Sequence, residues 1–225
     1  NNELISGSND KTIKIWNMTT GEVKRTLIGH DSAVGPLVIN EDDELISGSW
    51  YDGIKIWNMT TGQVKKTLKG HSAWIRSLAI NKDNELISAS DDKTIKIWNL
   101  KTKQLIRTLT GHTDWIWSLT VDRNNQLISG SHDNTIKIWN MTTGQVIRTL
   151  TGHNGPVYSL LVDNDNQLVS GSFDDRIKLW NTETGEVKRT FTGHTEGVYS
   201  FVQNQNNEDL ISGSGDGQIF IWRKM

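Results

Sequence analysis

Residue types able to do acid–base and nucleophilic chemistry recur together along this 225-residue chain. His112, Ser129 and Asp133 have counterparts in His71, Ser88 and Asp92, in His153, Ser170 and Asp174, and in His194, Ser212 and Asp216. In each set a tryptophan follows six residues after the aspartate, at Trp98, Trp139, Trp180 or Trp222. A serine activated by a histidine that an aspartate orients is the constellation of a hydrolase. Its repetition argues against that use, because catalytic groups are needed once. The serines also lack a GxSxG elbow and any oxyanion device. Buried polar groups need partners, and these four side chains can supply one another. They read as structural networks, with no catalytic residue among them.

The unit of His30, Ser47 and Trp57 departs from the pattern. Tyr51 stands where the others have aspartate, and Asp52 comes one residue late. A weakened or rewired network is expected there, in the least rigid of the complete units. Metal and cofactor readings are weaker still. Asp163-Asn164-Asp165-Asn166 lacks the glycine and distant glutamate of a calcium loop. It sits at a turn that is polar in every repeat, so a solvated hairpin is expected. The histidines come once per repeat, His132 apart, and there is no cysteine. No metal and no cofactor is expected. The Asn-Met-Thr triplets at Asn17, Asn58 and Asn140 are formal glycosylation acceptors, relevant only in a secreted protein.

What must position these residues is a repeated phrase, LISGSHDNTIKIWN at Leu127 to Asn140, with copies starting at Leu4, Leu45, Leu86, Leu168 and Leu210. The first four intervals are 41 residues and the last is 42. Two β-branched runs around a polar turn make a hairpin. Each period divides into four strands, for which one unit predicts Ile116 to Val121, Gln126 to Ser131, Thr135 to Trp139 and Gln145 to Leu150. The first is apolar and suits an inner strand. The last has equivalents carrying lysine and arginine, as in EVKRTL and QVKKTL, which protect a sheet edge.

Four antiparallel strands every forty-odd residues is the pattern of a β-propeller. The chain resembles the WD-repeat family along its whole length. Gly-His stands at Gly29-His30, Gly70-His71, Gly111-His112, Gly152-His153 and Gly193-His194. The position normally Trp-Asp reads Trp-Asn at Trp16, Trp57, Trp98, Trp139 and Trp180, and Trp-Arg at Trp222. The resemblance implies an all-β propeller of four-stranded antiparallel blades, in which Asp holds His, His meets Ser, and Ser meets the indole N–H. Residues 1–225 are expected to form a single propeller domain with six hairpins of second and third strands, four complete blades and a partial blade at each end. That makes 22 strands. An N-terminal half repeat or more is expected to be lacking, so that self-association could complete the ring.

The formal net charge is −2, so no global field draws the chain to nucleic acid or to an anionic membrane. No signal peptide or spanning segment is visible. A cytoplasmic or nuclear location is the expectation, with a protein or peptide as partner and neither nucleic acid nor membrane.

Differences among the copies show where function can sit. The residue before the turn aspartate is Asn9, Trp50, Asp91, His132, Phe173 or Gly215. The residue preceding the inner strand is Ala33, Trp74, Trp115, Pro156 or Gly197, and two further on stand Gly35, Arg76, Trp117, Tyr158 and Tyr199. Propeller topology places these positions at the same end. Of 10 tryptophans, the four outside the scaffold position are Trp50, Trp74, Trp115 and Trp117. A large aromatic offers roughly 150–250 Å² of contact, and Trp, Tyr and Arg are enriched at binding hot spots. Trp50, Trp74, Arg76, Asp91, Trp115, Trp117, His132, Tyr158, Phe173 and Tyr199 are therefore the candidate partner-binding residues. Trp74, Arg76, Trp115 and Trp117 are the expected anchor, with Arg76 offering cation–π packing or a carboxylate clamp. The competing possibilities are a roof of rings packed on one another and a glycan-binding face using Asp91, Asp114 and Glu196. A propeller-type hydrolase comes third.

Overall fold

The computed structural model describes residues 2–204 and 206–223, and among them every regular element is a strand. The chain divides into two compact units, Asn1–Thr108 and Leu109–Met225. In the first, β1 (Glu3–Gly7), β2 (Thr12–Asn17) and β3 (Val23–Ile28) form a three-stranded sheet. β4 (Val34–Ile39), β5 (Leu45–Ser49), β6 (Ile54–Trp57) and β7 (Val64–Leu68) form a four-stranded one. So do β8 (Ile75–Ile80), β9 (Glu85–Ser90), β10 (Thr94–Asn99) and β11 (Gln104–Thr110), the last running just past the unit boundary.

In the second unit β12 (Ile116–Val121), β13 (Leu127–Ser131), β14 (Ile136–Trp139) and β15 (Val146–Leu150) make one sheet. β16 (Val157–Val162), β17 (Leu168–Ser172), β18 (Ile177–Trp180) and β19 (Val187–Phe191) make the next. β20 (Val198–Gln203), β21 (Leu210–Ser214) and β22 (Ile219–Trp222) make the last. Every sheet is an antiparallel meander in chain order, the pattern of WD-repeat blades.

Strand boundaries shift slightly from those the pattern predicts, for local reasons. Gln126 and Thr135 fall in turns. Asp122 Oδ1 accepts the Gln126 N–H at 2.7 Å, and Asp133 Oδ1 accepts both the Thr135 N–H and its hydroxyl. The same device closes the loop that resembled a calcium site. Asp163 Oδ1 accepts from Asp165 N and Gln167 N, and Asn166 takes a positive φ of 59°. The Asn58 amide oxygen likewise accepts from Thr60 N and Thr61 N. An amide oxygen serves that turn as well as a carboxylate would, so Trp-Asn can stand for Trp-Asp.

The core lies where one sheet meets the next. In the second unit Ile136, Ile138 and Leu150 pack on Val157, Leu168 and Trp180 of the following sheet. In the first, Ile46, Ile54 and Ile56 pack on Ile75, Leu86 and Trp98. Fully burying each such side chain contributes about 1.5–3 kcal/mol. The packing is close enough to favour a small residue at the middle of Ser-Gly-Ser, where β9 carries the fully buried Ala89. A Cβ at Gly130 would meet Val157 Cγ1 at 2.7 Å.

Inside four of the sheets runs the expected relay, while in the first sheet Trp16 donates to Ser6 Oγ at 2.9 Å. The Trp139 indole N–H donates to Ser129 Oγ at 2.7 Å. Ser129 Oγ lies 2.7 Å from His112 Nε2, and His112 Nδ1 lies 2.7 Å from Asp133 Oδ2. With the indole donating to it, the serine hydroxyl donates to Nε2, leaving Nδ1–H for the carboxylate. Trp98–Ser88–His71–Asp92, Trp180–Ser170–His153–Asp174 and Trp222–Ser212–His194–Asp216 repeat this. The carboxylate also accepts the backbone N–H following the histidine, as Asp133 does from Thr113 at 3.0 Å. The relay thereby ties the hairpin turn to the loop leading into the inner strand.

In the unit of His30 the network is rewired and closed, the second of the two expected outcomes. Asp52 Oδ2 reaches His30 Nδ1 at 2.9 Å, and His30 Nε2 lies 2.6 Å from Ser47 Oγ, to which Trp57 donates. The turn takes its extra residue before the aspartate and drops the threonine after it, so Gly53 carries the positive φ (78°) directly before Ile54. The lost threonine hydroxyl is replaced by the Lys55 ammonium, 3.2 Å from Asp52.

Ser129→Ala leaves both the Trp139 N–H and His112 Nε2 without a partner at a site that is 0% exposed. We expect destabilisation of about 1–3 kcal/mol, read as a lower urea midpoint at unchanged slope. Acid should act on the same networks. Burial disfavours the charged form of Asp133, but His112 and Thr135 outweigh it and hold the carboxyl well below its usual range. Burial likewise opposes ionisation of Glu44, yet Lys103, Lys65 and Asn40 bring it from 4.5 down to about 2. Such depressed carboxyls contribute stability that is complete above their unfolded value and lost as pH falls through the folded one. Burial lowers the His30 pKa, so the unfolded chain takes that proton more readily and acid destabilises there too. The melting temperature should therefore begin to fall below about pH 6.5 and drop steeply below about pH 4. Glu44→Gln should be destabilising at pH 7 and nearly neutral at about pH 2.

Candidate functional site

The positions that vary among the copies are joined through their own backbone atoms. His132 N–H donates to Trp115 O at 2.8 Å. Its counterparts are Trp50 to Ala33, Asp91 to Trp74, Phe173 to Pro156 and Gly215 to Gly197, between 2.9 and 3.2 Å. Each bond joins the hairpin turn of a sheet to the residue before its own inner strand. The two positions are therefore neighbours at one end of each sheet, whatever side chains they carry.

The third variable position is a β-bulge. Pairing between β12 and β13 slips between Ile116 and Ser118, which leaves Trp117 out of register. The same slip isolates Arg76, Tyr158 and Tyr199, and a wider one takes in Gly35. A bulge re-aims its side chain and tolerates variation because no cross-strand partner constrains it.

In the first unit these positions build a stacked pillar. Trp50 and Trp74 are stacked with ring centroids 3.8 Å apart and planes 11° apart. The Arg76 guanidinium carbon lies 4.5 Å from the Trp74 ring centre. Tyr51, 76% exposed, meets Trp74 edge-on at 5.9 Å. Arg76 Nε and Nη2 donate to the two Asp91 carboxylate oxygens at 2.8 and 2.7 Å. The expectation of Arg76 as a clamp for an incoming carboxylate is corrected by this geometry, since Asp91 already occupies the fork.

In the second unit the rings form a chain. Trp115 meets Trp117 at 6.4 Å and His132 at 5.3 Å, and the Trp117 indole N–H donates to His132 Nδ1 at 3.4 Å. Trp117 meets Tyr158 edge-on at 5.1 Å, and Tyr158 stacks on Tyr199 at 4.9 Å and meets Phe173 edge-on at 6.2 Å. Burial and the neighbouring Tyr199 push the Tyr158 phenol above its ordinary pKa. The outer rings stay in solvent, with Trp115 40%, Phe173 56% and Tyr199 51% exposed. Packing of ring on ring and exposure of rings thus coexist. Of the expected anchor, Trp74 and Arg76 belong to the first unit and Trp115 and Trp117 to the second.

A further variable position is the one before these, occupied by Ser32, Ala73, Asp114, Gly155 and Glu196, of which the sequence singled out only Asp114 and Glu196, as carboxylates for a glycan face. Glu196 comes beside Tyr199 because Gly215 has no side chain. A Cβ there would meet Glu196 Oε2 at 2.8 Å and Tyr199 Cε2 at 3.1 Å. The spread from serine to glutamate at that position was the available signal.

Comparison with known proteins agrees with this architecture. The family model described as "WD domain, G-beta repeat" matches residues 1–17, 62–99, 103–140, 144–181 and 185–223. A 40-residue stretch is 52% identical to "Pre-mRNA-splicing factor PRP46" of Candida glabrata, covering 18% of this chain and 9% of that protein. Another, of 35 residues, is 54% identical to "Lissencephaly-1 homolog" of Branchiostoma floridae, covering 16% of this chain and 9% of that protein. The matches thus span less than a tenth of these relatives. Among solved structures, the WD40 β-propeller domain of Doa1 superposes with a TM-score of 0.88 at 31% identity, over 100% of this chain and 76% of that one. The computationally designed Ika8 protein gives 0.84 at 35% identity, over 100% and 69%.

The pillar of the first unit has an optical signature. Two indoles stacked this closely should give a far-ultraviolet exciton couplet in circular dichroism. Trp74→Phe should remove it, Asp91→Ala should weaken it by releasing Arg76, and Trp115→Phe should leave it intact. A couplet that survives Trp74→Phe would contradict the stack.

Proposed function

This chain belongs to the WD domain, G-beta repeat family, and we propose that it is a non-enzymatic module that holds a protein or peptide partner on its aromatic sheet ends. The observation that carries this reading is the division of labour at the variable positions. Backbone bonds hold positions 50, 91, 132, 173 and 215, so the turn leaves residue type there free to vary, and His132 and Phe173 stand among the rings of the second unit. At the bulged positions Trp117, Tyr158 and Tyr199 are re-aimed in the same way. Trp115, Phe173 and Tyr199 offer exposed ring surface backed by other rings, which limits the rotamer freedom lost on binding.

The competing classes are less well supported. A hydrolase would need a reachable nucleophile, and Ser88, Ser129, Ser170 and Ser212 are each 0% exposed with an indole N–H on the hydroxyl. A glycan-binding face needs carboxylates beside rings. Asp91 is committed to Arg76, and Asp114 Oδ1 accepts its neighbour's Trp115 N–H at 2.9 Å, which leaves Glu196 as the one carboxylate of the three beside rings without such a partner. Neither nucleic acid nor a membrane surface suits a net charge of −2.

Peptide and glycan arrays probed in parallel test the reading. Peptides should be retained and neutral glycans not. Trp115→Ala combined with Trp117→Ala should weaken retained peptides by about 30-fold or more, the scale of a hot-spot loss of roughly 2 kcal/mol. Undiminished peptide binding by a folded double variant would refute the assignment, and exclusive glycan capture would replace it.

A further inference from the structure

Resting on the reading just given, we infer that Tyr199, Phe173 and Glu196 form a subsite for a cationic side chain, a lysine or arginine of the bound peptide. The site lies within the second unit. Two glycines open it. Gly215 replaces the larger residues found at the equivalent turn position elsewhere, and the point where its Cβ would stand is 2.8 Å from Glu196 Oε2 and 3.1 Å from Tyr199 Cε2. The carboxylate and the ring are therefore neighbours across one empty position. Gly197 does the same on the other side, where a Cβ would lie 3.5 Å from both Phe173 Cδ2 and Tyr158 Cε2. Tyr158 backs the site, stacked on Tyr199 and edge-on to Phe173.

The chemistry of the walls selects the occupant. Aromatic faces carry negative quadrupole density and attract an ammonium or guanidinium, and an adjacent carboxylate adds charge to that attraction. The aliphatic stem of lysine or arginine matches the exposed ring surface of Phe173 and Tyr199. Glu196 is exposed, and no described residue pairs with its carboxylate. The neighbouring aspartates differ in this respect. Asp174 and Asp216 are spent on His153 and His194. Among the remaining charged groups of these turns, Asp114, Asp175 and Glu196 outweigh the single cation Arg176, so the local balance also favours a positive guest. The two units divide the charge differently. In the first the cation beside the indoles is supplied by the chain itself, as Arg76, and in the second by the partner.

The test is a positional library of capped decapeptides in which one residue is fixed as lysine, arginine, norleucine, citrulline or glutamate. Wild-type protein should retain lysine and arginine peptides about 3- to 10-fold more strongly than norleucine and citrulline ones, a preference that shrinks as salt rises. Glu196→Gln, with unchanged melting temperature, should reduce that ratio towards one while leaving norleucine peptides bound as before. Tyr199→Ala should lower both. Peptide binding without cation preference, or a preference unchanged in Glu196→Gln, overturns the subsite alone. A library from which nothing is retained overturns the preceding reading and this inference together.

Discussion

Five of the six sheets each depend on one largely buried carboxylate. Asp133 accepts from an imidazole, from a threonine hydroxyl and N–H in its own turn, and from the backbone of the loop before the inner strand. Through the histidine and serine it is linked to an indole at the far side of the sheet. A charge removed from water in this way is tolerable only because its acceptor sites are filled. Once they are, the carboxylate holds two separate pieces of chain, its own turn and the loop before the inner strand, at one point. The variable residues sit directly beside that point.

The fold was largely legible because it rests on local rules repeated many times. Alternating β-branched runs, polar turns and charged outer strands each point to the same answer, and the His–Ser–Asp–Trp spacing is close to a hydrogen-bonding instruction. Legibility failed where a through-space partner decides the outcome. Asp52 closes its network from one residue later because a glycine with positive φ and a lysine make up the difference, and neither is visible from spacing. Arg76 looked available because nothing in the sequence shows that Asp91, fifteen residues on, reaches both of its donors. The bulges at Arg76, Trp117, Tyr158 and Tyr199 were hidden as well, since one residue out of register leaves no compositional mark.

The two units use similar residues to different ends. In the first, indoles, guanidinium and carboxylate satisfy one another and make a stiff, largely self-contained stack. In the second, edge-to-face contacts and one stacked pair of tyrosines make a longer series that ends in solvent at Trp115, Phe173 and Tyr199. Pre-organisation is common to both, but only the second leaves a carboxylate beside a ring with no cation of its own.

The backbone bond between His132 and Trp115, and its four counterparts, carry a consequence for how such a chain can change. The donor position excludes only proline, because any other residue supplies the N–H, while the acceptor position admits even proline, as Pro156 demonstrates. Both positions lie in the same stretch of about twenty residues and answer to the same carboxylate. Duplication or exchange of one repeat therefore transplants a matched pair of surface side chains without disturbing the interior. Surface variation in this architecture travels in cassettes.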